Sequence, residues 1–230
     1  MSMKPSLVCL CGGFGTRFRE VSTLPKILAP IFSENIPALE IIVKWAEKSG
    51  FGHIFFLTGH NSNFIQDFLN NHSFTIGITV LNEGPPKGTA AAILKFKNHL
   101  PDEFYVSNGD TIFSALLELS ETPTLATIFG CYKSDGSRYG ALRLRGNSIV
   151  AFEEKSIKKI PGYVSSGVVY LRQTDFNELV GNSLEFDMYP NLASRHLLSF
   201  EKFRSNFLDY GTLNAFRETK TMSVKKFIRY

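Results

Sequence analysis

A glycine-rich turn followed by two cations is the stretch of this sequence best suited to chemistry. Residues 6–31 open with an apolar strand pattern that runs directly into the turn. At the carboxyl edge of an α/β sheet, glycines let the backbone approach a phosphate closely, and their N–H groups form an anion-binding concavity. The glycines and cations concerned are Gly12, Gly13, Gly15, Arg17 and Lys26. The plainer alternative is a tight strand-to-helix turn with solvated cations.

Two aspartates stand where the same edge of the sheet would bring them together. Asp110 ends a strand pattern in SNGD, and Asp209 ends a later one in FLDYGT. Mg²⁺ prefers hard oxygen ligands and takes few of them from protein, the rest coming from phosphate and water. The pair therefore favours a metal-bound phosphate at this edge. Each aspartate taken alone could equally be a turn or N-cap residue.

Alternating strand and helix patterns in the first part of the chain must position these groups. Strands are predicted over 7–10, 53–59, 75–83 and 103–110. Helices are predicted from Pro37 to Gly50, over 61–72, and from Thr89 to Leu100. This β-α-β-α-β-α-β order predicts a parallel sheet with helices on both faces.

Past Asp110 the pattern changes to short strands. They are predicted over 124–132, 140–145, 148–153, 163–172 and 200–211. Helices are predicted over 174–181, 186–195 and 212–220, the last capped by Thr212. The first four strands would be antiparallel additions to the sheet. We therefore predict one α/β domain over 1–230, with a Rossmann-like mixed, mainly parallel sheet flanked by helices.

The composition argues against several classes of protein. The chain has 230 residues, 43% of them hydrophobic, and a formal net charge of +4. No apolar run is long enough to span a membrane, and the first one ends in glycines, unlike a secretory signal. The basic residues are scattered apart from a tail predicted to be solvated, which gives no nucleic-acid stripe. Three cysteines without a CxxC pair and five dispersed histidines predict reduced thiols, no zinc, and a cytoplasmic location.

Several sequence blocks together resemble the sugar-phosphate nucleotidyltransferases, the NDP-sugar pyrophosphorylases. The blocks are GGxGTRF followed by LPKILAPI, then NEGPPKGTAAAI, NGD, AFEEKS and DYGT. Phe18 stands where the dinucleotide pattern GxGxxG requires its third glycine, so that pattern does not compete. The resemblance runs from Leu7 to about Phe216. It implies the family's α/β fold, catalytic roles for Arg17, Lys26 and Asp110, and Mg²⁺ held by Asp110 and Asp209.

The resemblance also implies a nucleotide site and a reader of the base. Its residues are Leu10, Gly12, Gly13, Gly15, Thr16, Glu83, Gly88 and Thr89. In the family, the position of Glu83 reads the base edge and is often glutamine, which suits uracil because it both donates and accepts. A carboxylate only accepts, and guanine offers it two adjacent donors, so Glu83 favours guanine. The alternative is a solvated loop glutamate.

The sugar-phosphate side rests on shorter blocks. The residues that the resemblance assigns to it are Asn108, Gly140, Glu154, Lys155 and Ser166. Glu154 would accept sugar hydroxyls and Lys155 would meet the sugar phosphate, although AFEEKS alone could be an exposed turn. Relatives often have asparagine at the position of Ser166, so the sugar contacts are less well defined than the chemistry.

The function implied is nucleotidyl transfer from an NTP to a sugar 1-phosphate, giving an NDP-sugar and pyrophosphate. The nucleotide half would cover about 1–112 and the sugar half about 113–230. The short length, NGD, Glu83 and FEEK are most similar to the heptose 1-phosphate guanylyltransferases, which implies GTP and a heptose 1-phosphate in polysaccharide biosynthesis. The alternatives are uridylyl, thymidylyl or cytidylyl transfer to a hexose 1-phosphate, or a non-catalytic regulator that binds nucleotide-sugar. Exposed aromatic strands near 124–132 or 200–210 could pair two copies as a homodimer.

Overall fold

The chain divides into two compact units, each assembled from separated segments, in a computed structural model. The first unit consists of Met1–Pro86, Ser107–Leu119 and Ser205–Tyr230, and the second of Lys87–Val106 and Ser120–Arg204. The structure describes residues 4–13, 15, 18, 24–60, 62–118, 123–153, 161–177 and 179–229. The predicted nucleotide and sugar halves concern ligands, and they stay a prediction.

Strands and helices alternate in the first part of the chain, and strands predominate in the second. In chain order the strands are β1 (Ser6–Cys11), β2 (Pro30–Ile31), β3 (Ile36–Pro37), β4 (His53–Thr58), β5 (Gly77–Asn82), β6 (Glu103–Asn108), β7 (Thr111–Phe113), β8 (Ala126–Lys133), β9 (Ala141–Arg145), β10 (Ser148–Glu153), β11 (Gly162–Arg172), β12 (Leu198–Lys202) and β13 (Phe207–Asp209). The α-helices are α1 (Ala38–Ser49), α2 (Ser62–Asn70), α3 (Thr89–Lys95), α4 (Tyr189–Ser194), α5 (Leu213–Thr221) and α6 (Val224–Phe227). Short 3₁₀ turns lie at Lys26–Leu28, Lys97–His99 and Gln173–Phe176, and a π-helical turn lies at Leu184–Met188.

Parallel strands form the sheet of the first unit, in the order β5–β4–β1. The middle of β1 is fully buried, as expected for a parallel strand covered on both faces. The register pairs Cys11 with Thr58 and Thr58 with Asn82, so the three strands end at one level. The alternating pattern predicted from the sequence is confirmed here, and both the glycine turn and Glu83 directly follow strand ends at this edge.

Helix α1 shows why the predicted helix boundaries held in this unit. Pro37 precedes the first turn, where its missing N–H costs nothing. Gly50 ends the helix with a φ of 93°, a left-handed conformation that glycine adopts without strain. The apolar face buries Trp45, whose indole N–H donates to the carbonyl of Ala115 at 3.0 Å. The helix is thereby fixed against the chain just beyond β7.

The strands of the second unit close on themselves. Their order is β11–β8–β12–β10–β9, and β9 pairs back with β11. The β8–β12 pair is parallel, whereas the other pairs are antiparallel. The predicted antiparallel strands over 124–132, 140–145, 148–153 and 163–172 are thus confirmed, and the mixed sheet with helices is of the predicted α/β class.

Two predicted elements are wrong. The strand predicted over 200–211 is instead two strands, β12 and β13, which lie in different units. The helix predicted over 174–181 is a 3₁₀ turn that ends at Phe176. Gly181 has a φ of 121°, and Asp187 accepts the N–H groups of Asn182 and Ser183, so this backbone cannot continue as a helix. Over 186–195 the helix is present, but it begins with a π-helical turn.

The C-terminal tail is tied to the first unit. The predicted helix over 212–220 is confirmed as α5, and the Thr212 hydroxyl accepts from the N–H of Ala215 at 3.2 Å. Beyond it, the sequence predicted a solvated tail, and Lys225 and Lys226 are indeed exposed. The backbone is not free, however, because Arg229 N–H donates to the carbonyl of Ser114 at 2.9 Å.

Glu34 holds the start of α6. Its carboxylate accepts from the Ser223 hydroxyl at 2.6 Å and from the Val224 N–H at 3.0 Å. These hydrogen bonds, the one from Ser223 first, lower the pKa of Glu34 to about 2. Over the part of the chain that the structure describes, no helix has the length and apolar character needed to cross a bilayer.

Candidate active site

Lys26 and Asp110 form an ion pair at the strand ends of the first unit. The ammonium Nζ of Lys26 lies 2.7 Å from Oδ2 of Asp110. Lys26 opens the 3₁₀ turn Lys26–Leu28, whose Ile27 and Leu28 are buried and anchor it. Asp110 lies in the turn between β6 and β7. The side chains are 20% and 35% exposed, so a ligand could reach both charged groups.

Strand pairing brings the second aspartate beside the first. Strands β7 and β13 are antiparallel, and their register pairs Thr111 with Asp209. Asp110, the neighbour of Thr111, therefore lies next to Asp209, although the two are distant in the sequence. The structure therefore brings the two strand-ending aspartates together through the two-stranded β7–β13 sheet, and their predicted roles as metal ligands stay predictions.

Gly211 marks the point on which the three charged groups converge. A Cβ added there would lie 2.6 Å from Asp209 Oδ1, 3.1 Å from Asp110 Oδ2 and 3.5 Å from Lys26 Nζ. The Gly211 N–H also donates to Asp209 Oδ1 at 2.7 Å. Glycine is therefore required here, since a side chain would fill the space between the carboxylates.

The buried Tyr210 supports the arrangement of charged groups around Gly211. It was not among the residues predicted from the sequence. Its ring is fully buried, and its hydroxyl donates to the carbonyl of Gly109 at 2.8 Å. Its own N–H donates to the carbonyl of Asp110 at 3.1 Å. Burial, and then the charge of Asp110, raises the pKa of Tyr210 well above its usual value. The phenol of Tyr210 therefore stays neutral and donates its hydrogen. The sequence signal that could have identified Tyr210 was its position inside DYGT.

The glycine turn is locked to the Asp110 turn. The N–H of Gly109 donates to the carbonyl of Leu10 at 2.9 Å, and a Cβ on Gly109 would lie 2.9 Å from Cβ of Cys11. Gly12 is buried, Gly13 is exposed, and Gly15 has a φ of 56°. Thr16 and Arg17 lie outside the described residues, so their predicted roles stay predictions.

Glu83 lies against the glycine turn. Its N–H donates to the carbonyl of Thr58 at 2.7 Å, which continues the β4–β5 pairing by one residue. A Cβ on Gly12 would overlap Oε1 of Glu83, so the carboxylate occupies the space left by that glycine. The nearby Cys11 thiol stays neutral, because the adjacent Cys9 thiol and burial raise the pKa of Cys11 well above its usual value.

Most of the other predicted site residues belong to the second unit. Gly88, Thr89, Gly140 and Ser166 belong to the second unit, and Asn108 ends β6. Ser166 is 2% exposed and donates to the carbonyl of Phe129 at 2.6 Å, while a Cβ on Gly140 would collide with the Phe152 ring. Both therefore have a packing role, and their sugar contacts stay predictions.

Glu154 and Lys155, predicted to meet the sugar and its phosphate, lie outside the described residues. Within the residues that the structure does describe, the groups brought together are thus Lys26, Asp110 and Asp209 around Gly211, and Gly12 with Glu83. A cation, two carboxylates and a glycine turn at parallel strand ends can bind polyphosphate and a divalent cation.

These features define an α/β enzyme that handles nucleotide phosphates, and solved structures share its fold. HddC from Yersinia pseudotuberculosis, solved with GMP-PN, is 23% identical with a TM-score of 0.78, over 94% of this chain and 97% of that one. The chain belongs to the nucleotidyl transferase family, whose sequence model matches residues 6–225.

Two curated relatives agree with that assignment. The D-glycero-alpha-D-manno-heptose 1-phosphate guanylyltransferase of Campylobacter jejuni is 30% identical over 176 residues, which are 74% of this chain and 77% of that protein. The bifunctional protein GlmU of Methanocaldococcus jannaschii is 34% identical over 201 residues, covering 86% of this chain; the chain spans 48% of GlmU. The predicted sugar-phosphate nucleotidyltransferase class is confirmed.

Proposed function

We propose that this chain transfers a guanylyl group from GTP to a heptose 1-phosphate. The sugar phosphate oxygen attacks the α-phosphorus in line, the bond from that phosphorus to the β-phosphate oxygen breaks, and pyrophosphate leaves. The observation that carries the proposal is the convergence of Lys26, Asp110 and Asp209 on the point beside Gly211. Phosphoryl-type transfers need positioning and charge neutralisation more than covalent help from the protein. Lys26, together with Mg²⁺ held by the two carboxylates, would supply that neutralisation.

The cations would bring negatively charged substrates together. Lys26 has three N–H donors, one of which is directed at Asp110, and the proposal assigns the others to phosphate oxygens. The backbone of the glycine turn would hold the triphosphate. Arg17 would stabilise the charge that builds on the departing pyrophosphate, and Lys155 would hold the sugar phosphate. The last two roles rest on the sequence resemblance.

The two carboxylates fit a magnesium ion of the kind that binds with its substrate. Among the described residues no group of three or more His, Cys, Asp or Glu converges, which disfavours an all-protein metal cage. Mg²⁺ is commonly held by one or two carboxylates plus substrate phosphates and water, and Asp110 with Asp209 supply that number. When bound, Mg²⁺ would neutralise and polarise the α-phosphate. The Lys26 ammonium and the Gly211 N–H orient the two carboxylates for this.

Guanine is the base that the proposal assigns to Glu83. The carboxylate can accept from the two adjacent donors of a guanine edge, whereas uracil would set carbonyl oxygens against it. The name of the Campylobacter jejuni relative and the GMP-PN complex of HddC support a guanine nucleotide. The heptose rests on that relative's name.

The proposed cytoplasmic location rests on the free cysteines, and the proposed homodimer rests on an exposed aromatic side chain. The cysteines are free, which suits the cytoplasm, where NTPs are available. Tyr132, in the segment predicted to pair subunits, is 58% exposed, which suits a homodimer. Sedimentation of the purified protein across a concentration range would test the dimer.

A substrate matrix tests the reaction. Purified protein is assayed for pyrophosphate release with GTP, CTP, UTP and dTTP, each against heptose, mannose and glucose 1-phosphates, with Mg²⁺. GTP with a heptose 1-phosphate should give the highest kcat/KM. A higher value with CTP or UTP would contradict the guanylyl assignment. Binding of nucleotide-sugar without turnover of any pair would support the non-catalytic regulator instead.

A further inference from the structure

The first turn of α3 is capped by a segment far along the chain. The residue before the helix, Gly88, has no side chain to cap it. The carbonyl of Asn182 accepts instead, from the N–H of Ala90 at 2.9 Å and from the N–H of Ala91 at 3.2 Å. Free N–H groups at a helix start are normally capped by a nearby Ser, Thr, Asp or Asn. Here the cap holds the helix start to residues 182–187, which we call the clip.

Side chains join the clip to Thr89. The Thr89 hydroxyl donates to Glu185 Oε2 at 3.0 Å and accepts from the N–H of Leu184 at 2.8 Å. The same Glu185 oxygen accepts from the Ser183 hydroxyl at 3.2 Å. A threonine hydroxyl has a single hydrogen, and here that hydrogen goes to Glu185. The hydroxyl is therefore engaged by the protein itself.

The clip has its own internal support. Asp187 accepts the N–H groups of Asn182 and Ser183 at 2.8 Å each. A Cβ on Gly181 would collide with the Asp187 carboxylate, and one on Gly88 would collide with the Asn182 carbonyl. Both glycines also have positive φ, 121° and 125°. The close approach of the helix start to the Asn182 carbonyl thus depends on Gly88, and the seating of the Asp187 carboxylate inside the clip depends on Gly181.

We propose that Glu185 is a positioning residue for nucleotide binding, acting through Thr89. The sequence places Lys87, Gly88 and Thr89 in the loop that carries the nucleotide-binding block, and the clip fixes that loop at its helical end. Thr89 then serves the nucleotide indirectly, by holding the loop, rather than by touching it through the hydroxyl. This inference rests on the proposed function, because it needs the 82–93 block to contact the nucleotide.

A double-mutant cycle tests the coupling, using the NTP that the wild-type protein prefers. Glu185→Ala and Thr89→Val should each raise the KM for that NTP roughly fivefold, the scale of one lost hydrogen bond. The rise in KM in the double variant should fall well short of the product of the two single rises, because both substitutions remove the Thr89–Glu185 hydrogen bond. The kcat and the KM for the sugar 1-phosphate should stay within about twofold of wild type. Glu185→Gln should retain most of the wild-type KM, since its amide oxygen still accepts.

Multiplying effects in the double variant would mean that Thr89 contacts the nucleotide directly, and would overturn the proposal. So would an unchanged KM in Glu185→Ala. The matched control is Asp175→Ala, which removes another capping carboxylate of the same unit, one that accepts from the Arg172 N–H at 2.8 Å outside the clip. It should lower Tm and leave the KM unchanged; an equal rise in KM would show general loosening and overturn the proposal.

Amide hydrogen exchange separates this inference from the proposed function. In nucleotide-free protein, Glu185→Ala should speed exchange at Ala90 and Ala91, whereas Asp175→Ala should not. Unchanged exchange at these two amides overturns the clip, whatever the activity. A wild-type protein inactive with every NTP would overturn the proposed function and the catalytic consequence of the clip, while faster exchange in Glu185→Ala would still support the clip itself.

Discussion

The charged cluster of the first unit and the start of α3 in the second unit are held in different ways. Asp110 and Asp209 are placed by the β7–β13 pairing and by the buried Tyr210, and Lys26 is placed by a 3₁₀ turn that Ile27 and Leu28 anchor. The loop that ends at Thr89 is held by a few hydrogen bonds from the clip, including those from Glu185. Paired strands fix a group within a narrow range, whereas a clipped loop can loosen by degrees. We therefore expect abrupt loss of turnover in the first region and graded loss of affinity in the second.

The largest effect should come from Asp110→Asn, which keeps the shape of the side chain and removes its charge. Turnover should fall by about 10²–10³-fold, the usual loss when one preorganised electrostatic group is removed. Pyrophosphate release under saturating substrates measures it, with circular dichroism to verify the fold. Asp67→Asn on the exposed face of α2 is the control and should be neutral. If Asp110→Asn lowered kcat less than Glu185→Ala does, the expected contrast between the charged cluster and the start of α3 would be wrong.

The next largest effect should come from Gly211→Ala. The new Cβ would sit 2.6 Å from Asp209 Oδ1, so the carboxylate must move. A displacement near 1 Å at reacting groups costs about 10²-fold in rate. The measurement is kcat over a Mg²⁺ titration. Gly162→Ala, which has no atom within 4 Å of the added Cβ, is the matched control. Equal kcat values for Gly211→Ala and Gly162→Ala would argue that the space between the carboxylates beside Gly211 takes no part in catalysis.

Glu83→Gln should have a moderate and selective effect. The amide can both donate and accept, so the preference for GTP over UTP should fall about tenfold, within the ~1–3 kcal/mol that a bidentate base contact provides. The ratio of kcat/KM values for the two nucleotides measures it, and Glu40→Gln on α1 serves as control. An unchanged ratio of the kcat/KM values for GTP and UTP would show that Glu83 does not recognise the base. Its role would then be only to pack against Gly12.

The smallest effect should come from Glu34→Gln, which changes stability and not turnover. The pKa of Glu34 is lowered to about 2 in the folded chain, so its stabilisation is present above the unfolded pKa of about 4.3. It is lost as the pH falls through the folded value. The Tm difference from wild type should thus be present at pH 7 and shrink toward pH 2. A Tm difference that does not depend on pH would show that the Glu34 carboxylate charge is not what stabilises the start of α6. A changed kcat would show that the C-terminal tail influences catalysis.

The sequence predicted the edge of the site well for a physical reason. Apolar runs that end in glycine or aspartate define both a strand and its carboxyl end, so the glycine turn, Asp110 and Asp209 could be assigned to one edge. The catalytic role of Lys26 and the base-reading role of Glu83 followed from the resemblance. The approach of Asp209 to Asp110 depends on the β7–β13 pairing, which joins short strands with little sequence pattern of their own.

Other features could not be predicted because they arise from contacts between distant segments. The clip joins Asn182 to Ala90, and the local sequence of neither segment indicates that it contacts the other. The helix predicted over 174–181 ignored Gly181; a glycine was the available sequence signal, and its φ of 121° is incompatible with a helix. Likewise, the apolar run over 200–211 gave no indication that its two ends belong to different units.

The interleaving of the two units has a consequence for synthesis on the ribosome. Lys26 and Asp110 are translated before most of the second unit, whereas β13 and Asp209 are translated after all of it. Domains tend to fold as their segments emerge, N-terminal ones first. A nascent chain therefore carries the cation and one carboxylate without the second while the remainder of the second unit is made. The complete pair forms only when the last segment of the first unit emerges and β13 pairs with β7.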